Sequence, residues 1–111
     1  MSTRIEKQLL GLLLLVSALF HLAVLNYPRQ VVFDEVHFGK FVNSYCCTHE
    51  RFFDIHPPHA KLLIATAVAF TSYDGSFSFD TIGLSYPPAM PVVAFRIVPA
   101  LFGIFLPLLM Y

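Results

Sequence analysis

Charged residues are scarce in this sequence of 111 residues: Asp, Glu, Lys and Arg together make up 13%, against about 25% in typical globular chains. With 57% hydrophobic residues and a mean hydropathy of +0.68, the composition excludes an ordinary small soluble domain. Seven basic residues balance seven acidic ones, so no net charge attracts the chain to nucleic acid or to an anionic lipid surface. We therefore expect a membrane protein with no nucleic-acid partner.

Cysteine is also rare, because the only two cysteines are the neighbours Cys46 and Cys47. They form no C-x-x-C pair and no framework of paired spacings, and adjacent cysteines are poorly disposed to bind one metal ion together. His56 and His59 stand three apart, but Pro57-Pro58 interrupts the geometry between them. Internal repeats and low-complexity tracts are absent as well. We expect no metal and no cofactor.

The longest stretch without a charge is residues 9–25, "LLGLLLLVSALFHLAVL", which lies at the lower edge of the ~17–25 residues that span a bilayer. It predicts a transmembrane helix. A cleaved signal peptide is the alternative, but no small-residue cleavage site follows. Arg4 and Lys7 precede the run, so the positive-inside rule predicts that residues 1–8 are cytoplasmic and residues 26–89 external or luminal.

Residues 26–89 carry most of the polar side chains, and we expect short helices there. One helix is predicted to begin near Asp34. Another should follow Pro57-Pro58, but its apolar run is too short to span the bilayer, which indicates an interfacial or re-entrant helix. The Gly and Pro residues of 72–88 are typical of a loop.

Residues 90–111, "MPVVAFRIVPALFGIFLPLLMY", predict a second transmembrane helix, with Arg96 near its start. Pro99 and Pro107 lie inside it, which membrane helices tolerate when neighbouring groups satisfy the freed carbonyls. No clear polar exit from this helix follows. We therefore expect the front end of a larger multi-span protein.

Two adjacent acids, Asp34 and Glu35, lie in the otherwise apolar run "VVFDEVHFGKF". From the residues alone, Asp34 is best explained as a helix cap and Glu35 as an acid that the helix dipole favours. Arg96 is explained as an interfacial anchor that extends to water. His56 is explained equally well as a residue that shapes the turn before the prolines and as a substrate contact.

Four blocks of the chain resemble, in order and spacing, the N-terminal part of the protein O-mannosyltransferases: "VVFDEVHFGKF", "FFDIHPPHAKLLIA", "YDGSFSFDTIGLSY", and Arg96 followed by "PALFG". The resemblance covers roughly residues 9–111. It implies an all-α membrane protein, the N-terminal fragment of a polytopic lipid-donor glycosyltransferase of the GT-C type. In such a protein, two transmembrane helices flank an external catalytic loop with short interfacial helices.

The activity that the resemblance implies is transfer of mannose, with inversion, from a polyprenyl phosphate, dolichyl phosphate in eukaryotes, to Ser or Thr hydroxyls of proteins. The implied partners are this donor, an acceptor protein, membrane lipids and, as homo- or heterodimer, a related subunit. A multi-pass location follows, in the endoplasmic reticulum membrane of a eukaryote or the cell membrane of a prokaryote. Two alternatives stay open: a related lipid-linked sugar transferase with a non-protein acceptor, and a non-catalytic membrane fragment.

The family's catalytic acid pair matches Asp34 and Glu35. The resemblance implies that Asp34 is the general base, in a place where water is scarce, while Glu35 orients the loop or binds the acceptor backbone. The leaving phosphate needs positive charge nearby, so Lys61 and Arg96 are candidate donor-binding residues. His56 is a further candidate for substrate binding. His59 departs from the family pattern, which has Leu after the two prolines.

Overall fold

The computed structural model describes residues 3–55 and 57–111, and nearly all its regular structure is helical. Helices α1, α2, α3 and α4 and one π-helical turn after α2 follow in chain order as Arg4–Leu22, Glu35–Asn43, Ser44–Thr48 for the turn, His59–Ala69 and Val92–Met110. Within these described ranges the extended pairing is limited to one isolated antiparallel bridge, Gln30 with Ser85. The predicted all-α class is confirmed.

Helix α1 begins five residues before the predicted span 9–25, because Thr3 caps it. The Thr3 hydroxyl accepts a hydrogen bond from the Glu6 amide at 3.2 Å, and the Glu6 carboxylate accepts one from the Thr3 amide. This reciprocal capping box satisfies two amides that lack helical partners. The helix ends at Leu22 rather than at residue 25, since the following residues form tighter turns before Pro28.

Helices α1 and α4 each contain 19 residues and are long and apolar enough to cross a membrane. They pack against each other, and a serine of α1 meets the interruption that a proline causes in α4. Pro107 has no amide hydrogen for the carbonyl of Gly103, four residues earlier. The Ser17 hydroxyl lies 3.5 Å from that carbonyl oxygen and donates to the Ile104 carbonyl at 3.2 Å. A hydroxyl of the neighbouring helix thus lies next to the carbonyl that the proline leaves free, the condition under which membrane helices tolerate proline.

The chain between the two long helices packs on the first turns of α4 through two apolar clusters. One cluster joins the connection between α1 and α2 to the loop before α4 and to the start of α4. It consists of Val31, Phe79, Tyr86, Met90 and Val92. The other joins α2 to α3 and consists of Val42, Ile64, Ala65 and Val68. Two hydrogen bonds of 2.8 Å hold Val31 to residues 83 and 84. The segment predicted as an external loop is therefore a packed unit.

Gly39 allows the closest approach within this unit. It is buried in α2, and a Cβ atom there would come within 2.3 Å of the Phe79 ring. Phe79 is fully buried, so its ring has no free space into which to move. Helix α2 and the loop before α4 can be this close only because residue 39 has no side chain.

Gly39→Ala is expected to destabilise the protein by about 1–3 kcal/mol, the usual effect of overpacking a core. Thermal unfolding of the purified protein in detergent measures the change. Gly11→Ala is the matched control, because it is also a helical glycine but has nothing within 4 Å of the added Cβ. Equal stability of the two variants would contradict the close packing described here.

The adjacent cysteines form a disulfide bond with each other, Cys46–Cys47, within the π-helical turn. No pairing pattern is visible in the cysteine spacing, and this bond between neighbours was not predicted. Gly75, with φ of 81°, lies against the turn, and a Cβ there would meet the Cys47 Cβ at 2.8 Å. The disulfide therefore forms part of the contact between the end of α2 and the loop after α3.

Candidate active site

A tight turn over residues 32–35 presents the two adjacent acids. The Glu35 amide donates to the Val32 carbonyl at 2.9 Å, and the Glu35 carboxylate accepts from the Val32 amide at 3.0 Å. Phe33 lies between them with a positive φ of 36°. Asp34 occupies the residue before α2, yet its side chain makes no capping hydrogen bond. The cap interpretation of Asp34 is therefore wrong.

Glu35 is fully engaged by the protein. The Arg96 guanidinium donates to both carboxylate oxygens, from Nε at 2.6 Å and from Nη2 at 3.2 Å, and the Tyr86 hydroxyl donates at 2.8 Å. Such a forked pair is the strongest geometry available to an arginine and a carboxylate. Burial of the phenol and its bond to Glu35 raise the pKa of Tyr86 well above its usual range, so it stays a donor at physiological pH.

Arg96 also binds backbone carbonyls from the connection between α1 and α2. Its Nη1 donates to Leu25 at 3.2 Å and to Pro28 at 2.9 Å, and its Nη2 donates to Gln30 at 3.1 Å. One side chain of α4 thus holds the connection after α1 and the first residue of α2 together. These contacts occupy the guanidinium with protein groups, and the donor-binding role of Arg96 stays a prediction.

Asp34 lines a cavity of about 520 Å³ between α2 and α3. The wall is mostly apolar and aromatic, with a few polar groups, and consists of Asp34, His37, Phe38, Phe41, Phe53, Asp54, Ile55, Pro57, Ala60 and Lys61. Asp34 itself is exposed in the described chain, and the expectation that water is scarce around it stays a prediction. The two neighbouring acids therefore lie in different environments, one open and one engaged.

Lys61 brings a buried cation to the same cavity. Only 3% of Lys61 is exposed, and its Nζ forms an ion pair with Asp54. The same nitrogen lies 4.2 Å from the centre of the Phe41 ring, within the range of a cation–π contact. A buried ammonium requires such partners. The structure thus places Lys61 and Asp34, both predicted site residues, at one cavity.

His56, the remaining predicted substrate-binding residue, lies outside the described residues. Across 3–55 and 57–111, no group of three His, Cys, Asp or Glu side chains is close enough to hold a metal ion.

Sequence reasoning missed two partners, Tyr86 for Glu35 and Asp54 for Lys61. Both stand in the quoted sequence blocks, but no spacing rule connects residue 86 with residue 35.

The fold and the site define a class before any comparison: a helical membrane protein in which a packed segment between two long helices holds a mostly apolar cavity with Asp34 and Lys61 on its wall. The sequence profile described as "Dolichyl-phosphate-mannose-protein mannosyltransferase" matches residues 11–111. The chain belongs to this family.

Curated relatives from two organisms illustrate the similarity. Dolichyl-phosphate-mannose–protein mannosyltransferase 4 of Saccharomyces cerevisiae is 54% identical over 79 residues, which is 69% of this chain and 10% of the relative. Mannosyltransferase 1 of the same yeast is 40% identical over 111 residues, all of this chain and 14% of the relative. Protein O-mannosyltransferase 1 of Drosophila melanogaster is 46% identical over 76 residues, 68% of this chain and 8% of the relative.

A solved structure of the S. cerevisiae protein O-mannosyltransferase Pmt1-Pmt2 complex, bound to the sugar donor, matches with a TM-score of 0.88 and 40% identity. The match covers all of this chain and 15% of the solved chain. The chain therefore spans a small part of the length of the relatives it matches. The fold predicted from the resemblance, that of the lipid-donor glycosyltransferases, is confirmed for this part.

Proposed function

We propose that this chain provides the catalytic acid and part of the donor pocket of a protein O-mannosyltransferase. The observation that carries the proposal is the separation of the two acids: Glu35 is held by Arg96 and Tyr86, whereas Asp34 lines an open cavity beside Lys61. Family membership gives this arrangement its chemistry. The substrates would be mannose on a dolichyl or other polyprenyl phosphate and a Ser or Thr hydroxyl of a protein.

Asp34 acts in this proposal as the general base. It accepts the proton of the acceptor hydroxyl while the hydroxyl oxygen forms a bond to the anomeric carbon of mannose. The bond from that carbon to the phosphate oxygen breaks, and the polyprenyl phosphate leaves with the bonding electrons. One displacement inverts the anomeric centre and needs no second acid as nucleophile. Glu35 therefore has an orienting role.

Lys61 is the cation that the cavity offers to the leaving phosphate. Its ammonium already lies on the cavity wall, so a phosphate placed there would share it with Asp54. Positive charge at the leaving group stabilises the transition state without a proton. Arg96, near the start of α4, remains a proposed donor contact, and so does His56, on the strength of the family resemblance.

We further propose a multi-pass protein of the endoplasmic reticulum membrane with residues 26–89 on the luminal side and residues 1–8 in the cytoplasm. Two helices long enough to span support the membrane location, and Arg4 and Lys7 support the orientation. A related subunit as partner is suggested by the neighbouring structure, which is a Pmt1-Pmt2 complex.

The orientation predicts where thiol reagents react. After mild reduction of the Cys46–Cys47 disulfide, a membrane-impermeant maleimide should label the chain in microsomes only when the luminal side is opened. Unreduced microsomes are the control and should show no labelling. Labelling of reduced, sealed microsomes from the cytoplasmic side would contradict the orientation.

A chimera tests the activity, because the chain matches a yeast relative over its whole length. The chain replaces the corresponding segment of yeast mannosyltransferase 1, and membranes are assayed for mannose transfer from dolichyl phosphate mannose to a Ser/Thr peptide. Transfer to the peptide supports the proposal. Transfer to lipid alone would favour a non-protein acceptor, and no transfer from a normally inserted chimera would favour a non-catalytic fragment.

A further inference from the structure

Phe33 has a backbone conformation that a bulky residue rarely adopts. Its φ is 36°, in the left-handed region that favours glycine. The ring gains little by this conformation, since 76% of Phe33 is exposed. Side-chain burial therefore does not select the positive φ, and the surrounding backbone must impose it.

Both sides of Phe33 are fixed. On one side, Val31 is fully buried and its amide and carbonyl bind residues 84 and 83. On the other side, Arg96 and Tyr86 hold the carboxylate of Glu35. Unusual backbone angles persist only where the structure imposes them in this way, and they cluster at active sites.

The chain reverses direction between these fixed points in a β-turn over residues 32–35. It has the form of the I′ and II′ class, in which the second residue has a positive φ. The Glu35 amide closes the turn on the Val32 carbonyl, and Asp34 has φ of −70° and ψ of −5°. Those angles fit the third position of a turn whose second residue requires a positive φ. If the residue at position 33 cannot adopt a positive φ, either the peptide between residues 33 and 34 must rotate or Glu35 must leave its partners.

We propose that Phe33 is a positioning residue whose backbone conformation directs the Asp34 carboxylate to the cavity while Glu35 stays bound to Arg96. The inference rests on the proposed function for its catalytic consequence. The backbone angle at residue 33 is the determinant, and the phenyl ring is not.

Three substitutions in the chimera distinguish the effect of the backbone angle at residue 33 from the effect of its phenyl ring. Phe33→Gly removes the ring but adopts a positive φ freely, and Phe33→Asn tolerates it. Phe33→Val is apolar but β-branched and resists it. We expect kcat to fall by about 10–100-fold in Phe33→Val, as for a misplaced catalytic group, with the KM for donor unchanged, whereas the Gly and Asn variants keep most of the turnover.

His49→Val is the matched control. His49 also has a positive φ, 55°, but it ends the π-helical turn and does not adjoin either acid. The His49→Val variant should be less stable, while the kcat of its folded fraction stays unchanged. An equal fall in kcat for His49→Val and Phe33→Val, or equal losses in all three Phe33 variants, would overturn the proposal.

A second measurement does not depend on activity. In this chain itself, with Asp34→Cys and without reductant, Cys46 and Cys47 are paired, so the introduced thiol is the one that reacts. Its rate of modification by a small maleimide should change by several-fold when Phe33→Val is added and stay the same with Phe33→Gly. Equal rates in both double variants would overturn the inference. If the unsubstituted chimera transfers no mannose, the proposed function fails, and this rate alone decides the role of Phe33.

Discussion

Asp34→Asn is expected to lower mannose transfer by about 10²–10⁴-fold, the usual contribution of a general base. Asn keeps the size and hydrogen-bonding capacity of the side chain but does not accept the hydroxyl proton. Because Asp34 makes no capping hydrogen bond and is exposed at the cavity, the substitution should leave the fold intact. The loss should therefore appear in kcat, with the amount of folded protein and donor binding unchanged.

The measurement is mannose transfer to a Ser/Thr peptide by the chimera, with protein level and donor binding determined separately. Asp80→Asn is the matched control, since Asp80 is an exposed acid that accepts a hydrogen bond from Ser78 away from the cavity. Glu35→Gln should reduce turnover less than Asp34→Asn and reduce stability more. Near-normal transfer by Asp34→Asn would remove Asp34 as the base.

Arg96→Ala should have the largest effect on stability. It removes the cation from Glu35 and the hydrogen bonds to the carbonyls of Leu25, Pro28 and Gln30. Breaking a buried ion pair costs about 3–5 kcal/mol. The effect here should lie toward the lower end, because solvent screens side chains that are still 12% and 20% exposed. Arg96→Lys should restore only part of the lost stability, since an ammonium does not form the two parallel hydrogen bonds that a guanidinium makes to a carboxylate.

Thermal unfolding in detergent and donor affinity, measured on the same preparations, separate the two roles of Arg96. A scaffold role predicts that stability and donor affinity fall together in Arg96→Ala and recover together in part in Arg96→Lys. Loss of donor affinity at unchanged stability would instead support the direct donor contact predicted from the sequence. Wild-type values of both quantities in both variants would show that the guanidinium contacts contribute little.

Sequence reasoning recovered the elements that depend on local chemistry. The two long helices follow from uncharged runs of sufficient length, and α3 follows from Pro57-Pro58 before a short apolar run. Ends differ by a few residues, because the capping box at Thr3 extends α1 into a charged segment. The quoted sequence blocks were enough to identify the family.

Contacts between distant residues were not predictable in this way. Glu35 and Arg96 are 61 residues apart. No periodicity in the sequence indicates that an acid at the start of α2 should pair with an arginine near the start of α4. Without that pair, Asp34 and Glu35 look alike in the sequence, and a capping role was the natural interpretation. Only the packed loop shows that one acid is engaged and the other is open.

The contacts of Arg96 have a consequence for how the protein is made. Every group that this side chain binds in the connection and in α2 lies 61 to 71 residues earlier in the chain. At synthesis rates of ~5–20 residues per second, those groups wait about 3–14 s for their partner. During that interval the Glu35 carboxylate can bind the Val32 amide of its own turn, but it and the backbone carbonyls lack the guanidinium. The turn over residues 32–35 therefore takes its final form only once the start of α4 has emerged from the ribosome.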